Sequence, residues 1–150
     1  MKKNSSLPRG LRNNNPLNIR LSATRWNGMC DVQDDKQFCQ FKSMRWGWRA
    51  AFLLLYSYYT KHGLKTIRGI ISRWAPPADN NNTEAYIKRV ADYMLVEPDK
   101  QLPSPQDYPL IWIWLAQGMC TVENGQLQRD FREIYYGWAL AAYERKWLFD

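Results

Sequence analysis

The residue whose type and setting best suit acid–base chemistry is Glu123. It ends an apolar, aromatic segment that is predicted to be helical, and Asn124 and Gly125 follow it. The negative end of a helix dipole and aromatic neighbours both disfavour an ionised carboxylate, so both raise its pKa. A glycosidase general acid needs a raised pKa, because it must protonate a poor leaving group near neutral pH. A solvated glutamate at a frayed helix end is the alternative.

Other catalytic chemistries lack their usual side chains in this sequence. His62 is the only histidine, and it stands beside Gly63 at a predicted helix end, where a polar residue is ordinary. The three cysteines form no C-x-x-C pair, and no glycine-rich phosphate loop occurs. Because a structural zinc site needs about four ligands, the sequence predicts no metal and no cofactor. Carboxylates remain as the acid–base candidates.

A second acid to accompany Glu123 does not stand out. Asp31, Asp34 and Asp35 lie in the loop of a predicted hairpin, and turn chemistry explains each of them equally well. The sequence therefore leaves three possibilities open, which are hydrolysis, transglycosylation and a domain without catalysis.

The charge of the chain is unevenly distributed. Six of the 21 basic side chains and none of the 14 acidic ones fall in the first 25 residues, so the remaining 125 residues carry 15 basic and 14 acidic groups. A basic first segment indicates an anionic partner, such as nucleic acid, teichoic acid, lipid headgroups or peptidoglycan carboxylates. Nucleic-acid-binding domains usually spread basic charge over a face, so the nearly neutral remainder predicts no nucleic-acid partner.

The hydrophobic periodicity predicts a mainly α fold with one small β-hairpin. We expect a flexible basic arm over residues 1–10 and a single domain over residues 11–150, with short extended pieces at 17–21 and 37–41 forming the hairpin. Five principal helices follow, at about residues 43–61, 64–74, 83–94, 106–123 and 128–147. The 8 Trp, 9 Tyr and 5 Phe suit either an aromatic core or a sugar-binding cleft.

The first residues indicate where the chain is made. The segment Met1–Arg9 has no apolar run of the kind that a secretory signal needs, and no stretch approaches the ~18 continuous apolar residues of a transmembrane helix. The sequence therefore predicts synthesis in the cytoplasm without a signal peptide, and no membrane span.

A long motif carries a family resemblance. The segment Arg9–Arg20 reads RGLRNNNPLNIR and resembles the RGIRNNNPGNIR opening of a family of phage and prophage proteins, which are known as virion structural proteins or peptidoglycan hydrolases. Leu17 departs from the glycine that is frequent in that family. The similarity continues through several shorter motifs: Trp26-x-Gly28, Phe38-x-x-Phe41-x-Ser43, Gly47-x-Arg49-Ala50, Thr66-Ile67, Ile70-Ile71-x-Arg73-Trp74-Ala75-Pro76-Pro77, Asn81-Asn82-Thr83-x-x-Tyr86-Ile87 and Glu123-x-Gly125.

A looser resemblance concerns the mechanism. Residues 14–20, 38–43 and 74–86 are similar, in the same order, to elements of glucosaminidase-type muramidases. In that family the catalytic glutamate lies on a helix before these elements, whereas the similar helix end here, 119–125, comes after them. This order implies a circularly permuted lysozyme-like fold, an analogy at the level of fold.

Together the resemblances imply a phage or prophage protein with a lysozyme-like helical domain. The implied activity is cleavage of peptidoglycan glycan strands, as a hydrolase or a lytic transglycosylase of the endolysin kind, at the cell wall or periplasm or as a virion component. The implied partners are peptidoglycan and other virion proteins. A non-catalytic virion structural or wall-binding protein is the alternative.

The resemblances also imply residue roles. Glu123 and Tyr86 are the expected catalytic residues. The run Asn13–Asn15 offers amides to sugar hydroxyls and acetamido groups, although these side chains could instead pin the local backbone. The full set of expected substrate-binding residues is Asn13, Asn14, Asn15, Asn18, Arg20, Trp74 and Asn82.

Overall fold

Six α-helices form the described part of the chain, residues 6–147, in the computed structural model. This confirms the mainly α class. We number the helices α1 to α6 in chain order, and a short 3₁₀ turn at Pro77–Asp79 separates α3 from α4. Their bounds are Arg9–Arg12, Met44–Thr60, Ile67–Trp74, Thr83–Met94, Pro109–Asn124 and Phe131–Glu144.

The core is built around α2. Trp48, Phe52 and Tyr56 follow one another at four-residue spacing on this helix, and all three are fully buried. Helix α6 packs closely on α2 at Gly137, where an added Cβ would lie 2.3 Å from Trp48 Cβ. Only a residue without a side chain allows that approach, so Gly137 sets the distance between the two helices.

The predicted hairpin is wrong. Between α1 and α2 the described residues contain two isolated antiparallel bridges, Arg20 with Phe38 and Met29 with Phe41, and no strand. The segment 37–41 has several backbone partners in turn, because Cys39 N donates to Ile19 O while Phe41 N donates to Asn13 O. A strand that changes its partner every two residues cannot extend a ladder with any one of them.

Side chains replace the missing ladder in this segment. Gln40 Oε1 accepts bonds from the backbone N–H groups of Asp34 and Asp35, at 2.6 and 3.2 Å. Gln33 Oε1 accepts a bond from Gln40 N at 2.7 Å. Glutamine amides thus pair partly buried backbone groups that a strand ladder would otherwise pair.

The start of the described chain packs on this irregular segment. Arg9 begins α1 and donates from Nε and Nη2 to the carboxylate of Asp35, at 2.7 and 2.6 Å. Its guanidinium also lies 4.6 Å from the centre of the Phe38 ring. Residues 1–5 of the predicted arm lie outside the described residues, and the division into an arm and a domain stays a prediction.

Helices α3, α4 and α5 converge at their ends. Helix α3 ends at Trp74, because Pro76 and Pro77 follow and proline cannot continue a helix. Helix α4 begins after Asn82, whose Oδ1 accepts a bond from Ala85 N at 3.1 Å. Helix α5 ends at Gly125, which has a φ of +70°.

Within residues 6–147, no helix combines the length and apolar character that crossing a bilayer requires.

Candidate active site

Glu123 lies in the last turn of α5 and is held from two sides. Tyr86 Oη donates to its Oε2 at 2.8 Å, and Asn18 Nδ2 donates to its Oε1 at 3.0 Å. The Trp74 side chain also lies close enough to lower the pKa of the carboxyl group. The fold thus brings together four of the residues that the sequence assigns to a site.

Burial raises the pKa of Glu123 above its usual value. The hydrogen bonds from Asn18 and Tyr86, the nearby Trp74 side chain and the charge of Arg20 act in the opposite direction, yet the net shift is upward. Because burial outweighs these groups, the carboxyl group keeps a proton more readily than an exposed glutamate does.

Tyr86 stays protonated beside this carboxyl group. The ring is buried in α4, and burial together with the charge of Glu123 raises the pKa of the hydroxyl well above its usual range. Tyr86 is therefore a permanent hydrogen-bond donor at neutral pH, suited to orient Glu123 rather than to exchange a proton with substrate.

Asn18 reaches Glu123 because the loop before it is pinned. Its backbone has a φ of +52°, which asparagine tolerates better than most residues. Asn18 N donates to Asn15 O at 3.1 Å, and Asn124 Nδ2 donates to Pro16 O at 2.8 Å. The residue next to Glu123 therefore fixes the loop that supplies Asn18.

The run Asn13–Asn15 directs its side chains inward. Asn15 is fully buried, and its Nδ2 donates to the carbonyl oxygens of Ile19 and Cys39 at 3.0 and 2.9 Å. Asn14 Nδ2 donates to Phe41 O, and Asn13 Nδ2 donates to Asp35. This geometry favours the backbone-pinning alternative, and none of the three residues lines a depression beside Glu123.

Two open depressions flank Glu123. The first, which we call the aromatic depression, has a volume of about 270 Å³ and is lined by Asn18, Ile19, Arg20, Ser22, Thr24, Trp26, Leu54, Tyr58 and Trp74. The second, which we call the asparagine depression, has a volume of about 320 Å³ and is lined by Asn80, Asn81, Asn82, Ala85, Tyr86, Arg89, Val122 and Glu123. Glu123 itself lines the second depression, and its hydrogen-bond donors Asn18 and Tyr86 border the first and the second respectively.

Glu123 is the only carboxylate among the described residues that line these depressions. Asp35, one of the three loop acids, instead accepts bonds from Arg9, from Asn13 and from two backbone N–H groups. The bond from Arg9 is the main reason that the pKa of Asp35 lies far below its usual value. Asp31 and Asp34 line neither depression, so the loop supplies no partner acid.

The cysteines take no part in this site. All three are free thiols in the described residues, and Cys39 and Cys120 are buried. The backbone N–H of Cys30 donates to the carbonyl oxygen of Gln40, so Cys30 pairs with the residue next to Cys39 and not with Cys39 itself. Burial raises the pKa of Cys120 to about 12, so it remains a thiol. In the described part of the chain, no group of histidines, cysteines and acids forms a metal-binding cluster.

Comparison with known proteins gives one informative relative. Protein P5 of Pseudoalteromonas phage PM2 is 38% identical over 138 residues, which cover 90% of this chain and 82% of the relative. The chain belongs to the P5 family of phage proteins. This confirms the phage character that the sequence predicted. No family model matches the chain, and the resemblance to lysozyme-like enzymes stays a prediction.

In this member of the P5 family, several residues at the site were not expected from the sequence. Trp26 and Tyr58 line the aromatic depression, and Asn80, Asn81 and Arg89 line the asparagine depression. The run Asn80–Asn82 repeats the composition of Asn13–Asn15 and is exposed, whereas the earlier run faces inward. The repeated Asn-Asn-Asn composition was the signal in the sequence that could have pointed to Asn80 and Asn81, the two residues of the second run that were not predicted.

Proposed function

We propose that the protein cleaves the glycan strands of bacterial peptidoglycan, with Glu123 as the general acid. The observation that carries the proposal is the setting of Glu123, a largely buried carboxyl group that lines the open asparagine depression, accepts hydrogen bonds from the neutral groups of Asn18 and Tyr86, and has a raised pKa. A general acid for glycoside cleavage requires this combination of access and proton retention.

The proton of Glu123 would go to the glycosidic oxygen. The bond from that oxygen to the anomeric carbon then breaks, and the leaving sugar keeps the proton as a hydroxyl group. The carboxylate of Glu123 next removes a proton from the attacking hydroxyl, either of water or of the sugar itself, and is ready for another cycle. Tyr86 and Asn18 orient the carboxyl group through both steps.

The linings of the two depressions support a sugar substrate. Trp26, Tyr58 and Trp74 offer aromatic faces on one side of Glu123, and the exposed amides of Asn80–Asn82 offer donors and acceptors on the other. Each depression also contains one arginine, Arg20 or Arg89, suited to the carboxylates of peptidoglycan. The substrate-binding roles expected for Asn18, Arg20, Trp74 and Asn82 are therefore retained in the proposal.

The proposed site of action is the bacterial cell wall, reached after release from the cytoplasm or as part of the virion. A phage meets peptidoglycan when it enters and when it leaves a host, and membership of the P5 family makes that encounter relevant. Virion proteins are accordingly the proposed macromolecular partners.

Glu123→Gln tests the proposal, because glutamine keeps the size and polarity of the side chain but cannot donate the proton. We expect release of muropeptides from purified peptidoglycan to fall by orders of magnitude, with the circular dichroism spectrum unchanged. Glu97→Gln is the matched control, since Glu97 is exposed and lines neither depression. Equal rates for the wild type and Glu123→Gln would exclude Glu123 as the acid.

The products decide between hydrolysis and transglycosylation. Hydrolysis carried out in water labelled with heavy oxygen places the label in the new reducing end. Attack by a hydroxyl of the sugar itself leaves the product unlabelled. Glycosidases usually use two carboxylates, and the described linings supply one, which makes this experiment informative.

The lone carboxylate also favours a second candidate function, a non-catalytic virion or wall-binding protein. In that case both the wild type and Glu123→Gln would sediment with insoluble peptidoglycan and neither would release muropeptides. Binding without release by the wild type would replace the catalytic proposal with this one.

A further inference from the structure

Helices α4 and α5 share a surface that continues from the asparagine depression. We call it the α4–α5 surface. On each helix its members recur at intervals that are multiples of four residues, which places them along one face. They are Ala85, Arg89 and Tyr93 on α4, and Trp114 and Val122 on α5, which lie one turn to either side of the buried Gly118.

The α4–α5 surface is continuous with the site of Glu123. Ala85, Arg89 and Val122 line the asparagine depression together with Glu123 itself. Farther along α4 the contact with α5 moves from Glu123 back to Gly118, where an added Cβ would lie 3.0 Å from Tyr93 Cδ1. The surface therefore leads away from Glu123, with the ring of Tyr93 lying against Gly118.

Two aromatic side chains on this surface are neither buried nor fully exposed. Tyr93 is 40% exposed and Trp114 is 41% exposed, so each keeps part of its ring accessible to a ligand. Tyr93 is fixed by its packing on Gly118. Half-buried, well-supported aromatic rings are suited to stack against the apolar faces of sugar rings, because they bury area at low cost in conformational entropy.

Arg89 gives the same surface a positive charge. It is exposed, and no acidic side chain among residues 6–147 forms an ion pair with it within 4.0 Å. A glycan strand that carries carboxylates provides the complementary charge, whereas a purely apolar partner would leave Arg89 without an ion-pair partner on binding.

We propose that the α4–α5 surface binds the glycan strand beyond the bond that Glu123 cleaves. Tyr93 and Trp114 are the stacking platforms, and Arg89 pairs with a carboxylate of the strand. This inference rests on the proposed function and adds a distal binding site to it. From Val122 to Trp114 the helix rises about 12 Å, which extends the contact beyond a single sugar ring.

The test compares long glycan strands with a disaccharide fragment in the Glu123→Gln background, where cleavage does not interfere. We expect Tyr93→Ala and Trp114→Ala each to weaken binding of long strands about tenfold and to leave fragment binding unchanged. Tyr93→Phe keeps the ring and restores binding. Tyr135→Ala is the matched control, because Tyr135 is 47% exposed but lies on α6.

Kinetics of the catalytic form give a second readout. Trp114→Ala should raise KM for long strands and leave kcat nearly unchanged, since the platform acts far from the reacting bond. Unchanged strand binding, or equal weakening for strands and fragments, would overturn the distal site while leaving Glu123 catalysis intact. Failure of the Glu123→Gln protein to bind either ligand would overturn both proposals.

Discussion

At the scale of single residues, the raised pKa of Glu123 ties the proposed catalysis to stability. A carboxyl group whose pKa is higher in the folded than in the unfolded chain stabilises the fold below the unfolded value, about 4.3, and that contribution is lost as the pH rises through the folded value. A functional acid in a largely buried position thus costs stability near neutral pH.

Glu123→Gln should therefore be more stable than the wild type at about pH 7. Glutamine carries no charge to desolvate and can still bond to Tyr86 and Asn18. We expect the Tm of the variant to exceed that of the wild type by a few degrees at about pH 7, and the difference to shrink towards about pH 4. Thermal denaturation at the two pH values measures this. A constant difference would show that Glu123 does not titrate in this range.

Tyr86→Phe changes the titration of Glu123 in a defined direction. The hydrogen bond from Tyr86 lowers the pKa of Glu123, so its removal should raise that pKa further. Glycan cleavage requires the protonated form, and we expect the alkaline limb of the pH–rate profile to move to higher pH while the maximal rate falls through poorer orientation. A limb that moves to lower pH would contradict this role of Tyr86.

At the scale of elements, the run Asn13–Asn15 after α1 supports the candidate site from the inside and lines neither depression. Asn15 makes three buried hydrogen bonds, two from Nδ2 and one to Oδ1 from Ile19 N. Its removal would leave buried backbone groups of two segments unpaired, and each such group costs about 1–3 kcal/mol.

Asn15→Ala should consequently lower the free energy of unfolding by about 3 kcal/mol. Denaturant titration provides the measurement, and Asn81→Ala, which changes an exposed asparagine, is the control. The folded fraction of Asn15→Ala should bind glycan as the wild type does. If Asn15→Ala instead keeps its stability and binds glycan more weakly, Asn15 contacts the sugar directly, as the sequence motif suggested.

Gly10 of α1 packs closely against two residues beside Glu123, its chain neighbour Asn124 and its hydrogen-bond donor Asn18. An added Cβ at this position would lie 2.5 Å from Asn124 Oδ1 and 2.8 Å from Asn18 Oδ1. Because the backbone oxygen of Asn15 lies equally close, at 2.8 Å, the clash cannot be relieved by side-chain rotation alone.

We expect Gly10→Ala to destabilise the fold by about 1–3 kcal/mol and to displace Asn18 from Glu123. Gly63→Ala is a useful comparison, since no atom lies within 4 Å of a Cβ added there, so its cost comes from the positive φ of +65° alone. Muropeptide release should fall after Gly10→Ala and persist after Gly63→Ala. Equal activity in both would show that the α1 contact does not position Asn18.

The elements also indicate why sequence reasoning reached some features and not others. Helix α2 is apolar almost all round and is bounded by Ser43 and Gly63, so local pattern alone predicted it. The pieces 17–21 and 37–41 have the composition of hairpin strands, but 37–41 pairs with Ile19 and also with Asn13 of the preceding loop, and the side chains of Gln33 and Gln40 pair the backbone between the two pieces. Local pattern carries no information about such partners.

The candidate site divides in the same way. Glu123 stood out by its position at a helix end, and Tyr86, Asn18 and Trp74 came from the family resemblance. Arg89 could not be predicted, because its place in the asparagine depression depends on how α4 packs against α5. The inward direction of Asn13–Asn15 likewise follows from three-dimensional partners.

At the scale of the whole molecule, the uneven charge distribution bears on wall binding. The net charge is +7, and two of the basic side chains, Arg20 and Arg89, line the aromatic and the asparagine depression respectively. Attraction between exposed charges is screened by salt, with a Debye length of about 8 Å at physiological ionic strength. Binding to anionic peptidoglycan should therefore weaken as salt is added.

The double variant Arg20→Gln, Arg89→Gln should reduce this salt dependence and lower affinity for peptidoglycan several-fold, with little change for uncharged chitin fragments. Arg132→Gln removes the same kind of charge from a side chain that is 91% exposed on α6, so it serves as the control. Co-sedimentation at several salt concentrations measures the effect. Equal losses of affinity for peptidoglycan and for chitin fragments would show that the two arginines do not pair with the carboxylates of peptidoglycan.

The hydrogen bond between Asn18 and Glu123 joins positions 105 residues apart in the chain. Contacts of such high sequence separation form only when distant parts of a chain have come together. A nascent or locally opened molecule would leave Glu123 in water, where an ordinary glutamate is ionised near neutral pH and has no proton to give. An immature molecule would thus lack the proposed activity, and that activity would report complete folding rather than the mere presence of the helices.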